Sequence, residues 1–244
     1  MHSLPKVPTA IICLLYALGF FRSRFFVPLL CYRVGTMGDG GKWVCGLERA
    51  THQPNCVIYS MGVERQSSFE QEVLRKSEGC HVYGFDFSLS EWGPELRTDA
   101  EVKSQAHFFP YKIGAEDNHT ATPKEYSLQG IMKELGHEFI DIWKIDIEGS
   151  EFPTLTAVLE TFKGQPLPFG QMQIELHVGY TPNMSTIEDF NKWWTIYARR
   201  CGTPSILNGA QSPGRECPST QPASRGMVLH QYSREAPTAR RYLA

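Results

Sequence analysis

The chain has little net charge. Its 24 lysines and arginines face 26 acids, a formal charge of −2, so it lacks the concentrated basic surface of a nucleic-acid binder and no nucleic-acid partner is expected. It has no CxxC pair and no His/Cys cluster with zinc spacing, which removes the common structural zinc sites. It also lacks a GxxxxGK[ST] loop, a complete GxGxxG after the first strand-like run, and a GxSxG elbow. ATP hydrolysis, standard dinucleotide binding and serine-hydrolase catalysis therefore lose their usual signals. A full apolar span is missing too: the uncharged run Pro8 to Phe21 is shorter than the roughly 20 residues a membrane helix needs.

What is present suits one domain with extras at both ends. The 244 residues are 41% hydrophobic and 12% aromatic, enough to bury a core and to exclude global disorder. Residues 1–32 form an N-terminal hydrophobic segment, 33–202 the globular part, and 203–244 a tail dense in Pro, Ser, Gly and Arg, expected to be poorly ordered apart from a strand-like piece at Met227 to Tyr232. The apolar run at the start, with Lys6 before it and Arg22 and Arg24 after, has the length of a signal-peptide core or short anchor. A secretory or membrane-anchored location is expected, with membrane contact through residues 8–30; a buried helix of a cytoplasmic protein is the alternative. Sequons at Asn118 and Asn183 are compatible with a lumenal face. Of the seven cysteines, Cys45 and Cys56 bracket the Pro54–Asn55 turn and suggest a local disulfide.

Within 33–202 strand and helix signals alternate. Gly38 to Cys45 reads as a tight turn leading into a short strand. Cys56 to Met61 is a strand closed by Gly62, and Ser67 with Glu70 reads as a capping box for a helix whose apolar side is Phe69, Val73 and Leu74. His81 to Phe87 is a second strand delivering Asp86, and Ala106 to Ile113 a third whose Pro110 favours an edge. Ser127 caps a helix that Gly136 stops, and Ile140 onward is a fourth strand. Phe152 to Phe162 recurs at helical spacing, with Pro153 in the first turn where its missing N–H costs little. Gln171 to Val178 alternates strictly, so its polar face (Gln171, Gln173, Glu175, His177) looks towards solvent, an edge or a site. Ser185 with Glu188 reads as a second capping box, and Ile187, Phe190, Trp194 and Tyr197 trace a stripe read as core. Five strands alternating with helices predict an α/β fold with a doubly wound, mostly parallel, Rossmann-like sheet.

In such a sheet ligands sit beyond the carboxyl ends of the strands. Ser60 and Gly62, Asp86, Asp146 and Glu148, and Glu175 and His177 occupy those ends in order. A glycine after the first strand permits close approach of a ligand, and an acid ending the second can accept the hydroxyls of a ribose, which together suggest an adenosine-containing cofactor.

The segments GDGGKWVC (38–45), CVIYSMGV (56–63), GFD (84–86), DIWKIDIEGSE (141–151) and QIELH (173–177) resemble the methyltransferase-like family related to FkbM-type enzymes, which are class I S-adenosylmethionine-dependent methyltransferases. The resemblance implies that Ser60, Gly62, Asp86 and Asp146 hold S-adenosylmethionine. It places Glu148 and His177 on the catalytic, acceptor side; Glu175, one alternation away from His177 on the same strand face, is the residue placed to orient it. It also implies O-methylation of a small-molecule or glycan-like acceptor. Two departures stand out: YSMGVERQSS lacks the usual glycine-rich series, and the region after Gly202 offers at most one of the two expected edge strands. Asp146-x-Glu148 alternatively suits a lumenal metal-dependent glycosyltransferase, and a non-catalytic binding relative is a third possibility. A divalent metal on Asp146 and Glu148 is not favoured, because two carboxylates are an incomplete site.

Overall fold

A computed structural model describes residues 31–38, 40–177, 180, 184, 186–200 and 226–230. The N-terminal run, Asn183, Ser185 and most of 203–244 lie outside these residues, and so do the expectations that rest on them. Among the described residues no helix is long and apolar enough to cross a membrane.

The strands are β1 (Cys31–Val34), β2 (Lys42–Cys45), β3 (Cys56–Met61), β4 (Cys80–Phe85), β5 (Ala106–Phe109), β6 (Lys112–Ile113), β7 (Glu125–Tyr126), β8 (Ile140–Ile145), β9 (Phe169–Glu175) and β10 (Gly226–His230). The helices are α1 (Leu47–Thr51), α2 (Ser68–Arg75), α3 (Pro94–Arg97), α4 (Leu128–Leu135), α5 (Glu151–Thr161) and α6 (Ile187–Arg200). The main sheet runs β10-β9-β8-β3-β4-β5, and every neighbouring pair in it is parallel. The predicted Rossmann-like sheet is therefore present, and the tail supplies one edge strand, β10, alongside β9. At the other edge β5 ends at Phe109, just before Pro110, where a missing N–H interrupts no interior ladder.

The central strands are apolar on both faces, as a covered parallel sheet requires. On one face Tyr59, Met61, Phe85, Trp143 and Ile145 pack beneath α4 and α5. On the other Ile58, Val82 and Ile142 pack beneath α2 with Val34, Val44 and Trp92. Each large side chain so buried contributes about 1.5–3 kcal/mol. Ser127 caps α4 by accepting from the Gly130 amide, and Gly136 closes it at φ 71°. The stripe on α6 is core-facing in part: Phe190, Trp193 and Trp194 pack against the first cluster, with Trp193 edge-on to Phe152 at 5.0 Å.

Two local expectations are corrected. Ser67 makes no capping bond to α2; its hydroxyl instead accepts from the Leu96 amide and donates to Glu95, and Glu70 turns inward. The Cys45–Cys56 disulfide does not form. Cys45 bonds Cys31 across the β1–β2 hairpin, and Cys56 bonds Cys80, because each pair sits directly opposite in strand register. The hairpin that contains Cys31–Cys45 takes the place of a helix over β9: the Gln171 side chain both donates to and accepts from the Cys45 backbone, at 2.7 and 3.0 Å.

Candidate functional site

Beyond the carboxyl ends of β3, β4, β8 and β9 lies a cleft of about 320 Å³, within the size range of small-ligand sites. Gly62, Asp86, Asp146, Glu148 and His177 all line it, so five of the six predicted site residues share one rim. The sixth, Ser60, does not reach it. Ser60 is fully buried beneath the floor, donating to Glu70 Oε1 at 2.5 Å.

One end of the cleft is built from loop backbone, one carboxylate and apolar side chains. After β3 the chain turns at Gly62 with φ 76°, and a Cβ there would collide with the Asp146 carbonyl oxygen. The glycine thus serves the tight approach of β3 to β8 as much as any ligand. Glu64 follows at φ 53°, and this curl aims two successive amides, Val63 N and Glu64 N, at Asp86 Oδ2, 3.1 and 2.8 Å away. Asp86 Oδ1 accepts from the amide and hydroxyl of Ser88 at 2.9 and 2.7 Å. A carboxylate offers about four lone-pair sites, so Asp86 is engaged on both oxygens and fastens two loops together. Phe87, just over half exposed, and the flanking Tyr111 and Ile113 supply apolar wall.

The other end is ionic. Lys42, on the disulfide-bonded hairpin, is 3% exposed and places Nζ 2.9 Å from both Asp146 Oδ2 and Glu175 Oε2. Burial acts to lower Lys42, but the charges of Asp146 and Glu175 overcome it and its pKa is raised. Burial likewise acts to raise Asp146, while Lys42 and Lys144 hold it below the usual carboxylate range. His177 Nδ1 donates to Glu151 Oε1 at 2.8 Å, and Glu151, fully buried, also accepts from the Ile147 and Gly149 amides at 2.9 Å. Burial pulls His177 down, yet the bond and charge of Glu151, with Glu148 and Asp146, raise it to about 9. In this arrangement the imidazole favours its charged form, with Nδ1 committed to Glu151 and Nε2 facing the cleft. The expected orienting partner is corrected: Glu151 fixes the ring, whereas Glu175 stands 4.0 Å off. Glu148 projects from a left-handed residue, φ 51°, into the same space.

At the floor, where Lys144 reaches the cleft, lies a second set that sequence reasoning missed. Lys144 Nζ donates to the Gly62 carbonyl at 2.8 Å and to Ser60 Oγ at 3.3 Å, and it pairs with Glu70 Oε1 at 3.3 Å. Glu70 is fully buried and its Oε2 has no hydrogen-bond partner among the described residues, where Lys144 is its countercharge. The signal was a lysine inside the apolar strand DIWKID, which a covered sheet accepts only with a buried partner. Lys42 gave less warning, since GKWVC reads as a turn running into a strand.

Comparison with known proteins adds three findings. The family described as "Methyltransferase domain" matches residues 16–195. "Probable methyltransferase-like protein 24" of Rattus norvegicus is 30% identical over 204 residues, covering 71% of this chain and 53% of that protein. The Homo sapiens protein of the same name is 29% identical over 153 residues, 58% of this chain and 38% of its own length. The chain thus spans about half the length, or less, of these curated relatives. No solved structure matches it.

Proposed function

The chain belongs to the methyltransferase-domain family, and from that premise we propose that it binds S-adenosylmethionine and methylates an oxygen of a small-molecule or glycan-like acceptor. The observation that carries this reading is the convergence of Gly62, Asp86 and Asp146, from three separate strand ends, on one cleft. When bound, S-adenosylmethionine supplies an electrophilic methyl on a sulfonium sulfur.

The residues fit the nucleoside part of that group. Asp86 offers a ribose its Oδ1 if the Ser88 hydroxyl turns away, leaving the backbone bonds that fasten the loop intact. Phe87 and Tyr111 give the base an apolar wall. Methyl transfer is an in-line displacement, and the chain's main task is to hold the acceptor oxygen in line. Glu148 is the group placed to take the acceptor's proton: its side chain is 69% exposed, so a substrate can reach it, and its backbone conformation commits it to the cleft. His177, locked by Glu151, lies 3.7 Å from Glu148 and positions that end.

The compartment is part of the proposal. Disulfides at Cys31–Cys45 and Cys56–Cys80 support folding in the secretory pathway or outside the cell, and Asn118 of the first sequon is exposed. Calorimetric titration of the folded chain with S-adenosylhomocysteine tests the reading. Binding that Asp86→Asn weakens by tenfold or more, as expected for loss of a charge-assisted bond of about 1.5–3 kcal/mol, supports it. Absence of heat from folded protein contradicts it.

A further inference from the structure

We propose that His177, Asp146, Glu175 and Glu148 together form a binding site for one divalent cation. Asp146 and Glu148 alone are an incomplete site, and the fold brings the missing ligands to them from the end of β9. His177 Nε2 stands 3.7 Å from Glu148 Oε2, 3.8 Å from Asp146 Oδ1 and 4.0 Å from Glu175 Oε1. All three distances are too long for hydrogen bonds and too short to admit another side chain. The ligand atoms of Asp146, Glu175 and His177 lie within 4.8 Å of one another, leaving room for an ion held at about 2.0–2.6 Å.

The surroundings prepare these atoms as ligands. Lys42 binds one oxygen of Asp146 and one of Glu175, so the opposite oxygens, Oδ1 and Oε1, are the ones turned towards His177. Glu151 occupies Nδ1, which directs Nε2 at the carboxylates, the carboxylate–histidine pairing that orients metal-bound imidazoles. Glu175 is 8% exposed and Glu151 fully buried, so these acids are not a solvated surface patch. Four carboxylates surround one histidine here, with Lys42 as the lysine bonded among them, and a dication offsets the surplus negative charge by taking the place of the Nε2 proton. Three carboxylate oxygens with one imidazole nitrogen suit manganese and its first-row neighbours better than soft, thiolate-seeking ions. The site opens onto the cleft, where its remaining positions face the acceptor end.

The probe is Mn²⁺ alone, added to the full chain without S-adenosylmethionine and followed by the loss of the free-ion electron paramagnetic resonance signal. One ion per chain is expected. Glu151→Gln, which weakens the bond orienting His177 and also leaves one of the Ile147 and Gly149 amide bonds without its carboxylate oxygen, should weaken binding about 10–100-fold, and His177→Ala should weaken it at least as much. Glu148→Gln alters an exposed side chain that has no structural bond to lose, so it folds whether or not the buried variants do; it should weaken binding by about tenfold or more. No bound Mn²⁺ on folded wild-type chain, or an affinity that Glu148→Gln and His177→Ala leave unchanged, overturns the proposal. Because no methyl donor is present, this outcome is independent of the calorimetric test with S-adenosylhomocysteine.

Discussion

Replacing Lys144 by Met should destabilise the protein more than any other single change beneath the cleft. The substitution keeps the length and apolar stem of the side chain but removes the countercharge of Glu70, which is fully buried and has one oxygen with no hydrogen-bond partner among the described residues. It also removes the 2.8 Å bond to the Gly62 carbonyl that ties β8 to the loop after β3. Breaking one side of a buried pair costs about 3–5 kcal/mol, chiefly because the survivor is left charged in a poorly solvating place. With a urea m-value near the upper end of the range for small domains, about 3 kcal/mol/M, the midpoint should fall by roughly 1–2 M. Unfolding followed by tryptophan fluorescence reports this directly, since Trp143 is buried next to Lys144. Glu70→Gln removes the orphaned charge while keeping an acceptor for Ser60, so Lys144→Met/Glu70→Gln should be more stable than the sum of the single changes by about 2 kcal/mol. A loss under about 1 kcal/mol for Lys144→Met, or additivity within about 0.5 kcal/mol, would refute the claim that the two charges support each other.

Other outcomes follow from neighbouring geometry. Ser88→Ala frees a lone pair of Asp86 Oδ1, so binding of S-adenosylhomocysteine should be retained or tightened by calorimetry, in contrast to Asp86→Asn. Gly62→Ala forces a Cβ onto the Asp146 carbonyl at φ 76°, and urea unfolding should show a loss of several kcal/mol, beyond the roughly 1 kcal/mol of a simple left-handed alanine. Removing Cys56–Cys80 by paired serine substitutions should cost about 2–5 kcal/mol. Removing Cys31–Cys45, which closes 14 residues rather than 24, should cost about 0.5 kcal/mol less in thermal unfolding of the paired variants.

The sheet was legible because its code is local and repeated. Cys56–Met61 and Ile140–Ile145 are mostly apolar runs of strand length, Ser127 and Gly136 bracket α4 with the cap and stop residues helices favour, and strand ends in a parallel sheet face one side whatever the details. The convergence of Gly62, Asp86 and Asp146 follows from that topology. What could not be read depends on contacts between distant residues. Glu70 lies three residues after Ser67 and so matches a capping box, but Ser60 and Lys144, 10 and 74 positions from it along the chain, draw it inward. Glu175 and Glu151 are equally acidic in sequence, and only the packing of α5 against β9 decides that Glu151 holds His177. The cysteine pairing was lost for a similar reason: nearness along the chain favoured Cys45–Cys56, whereas register across strands sets the bonds. β1 was missed because it adjoins the apolar N-terminal run, and Lys42, although on a strand that is read, has its buried partners Asp146 and Glu175 more than 100 positions away.

A crystal structure of the full chain with S-adenosylhomocysteine tests the central claim most directly. The account predicts the adenosine between Gly62 and Phe87, a ribose hydroxyl on Asp86, and the sulfur end towards Asp146 and Glu148. A ligand bound elsewhere, or an unoccupied cleft at saturating concentration, would contradict it.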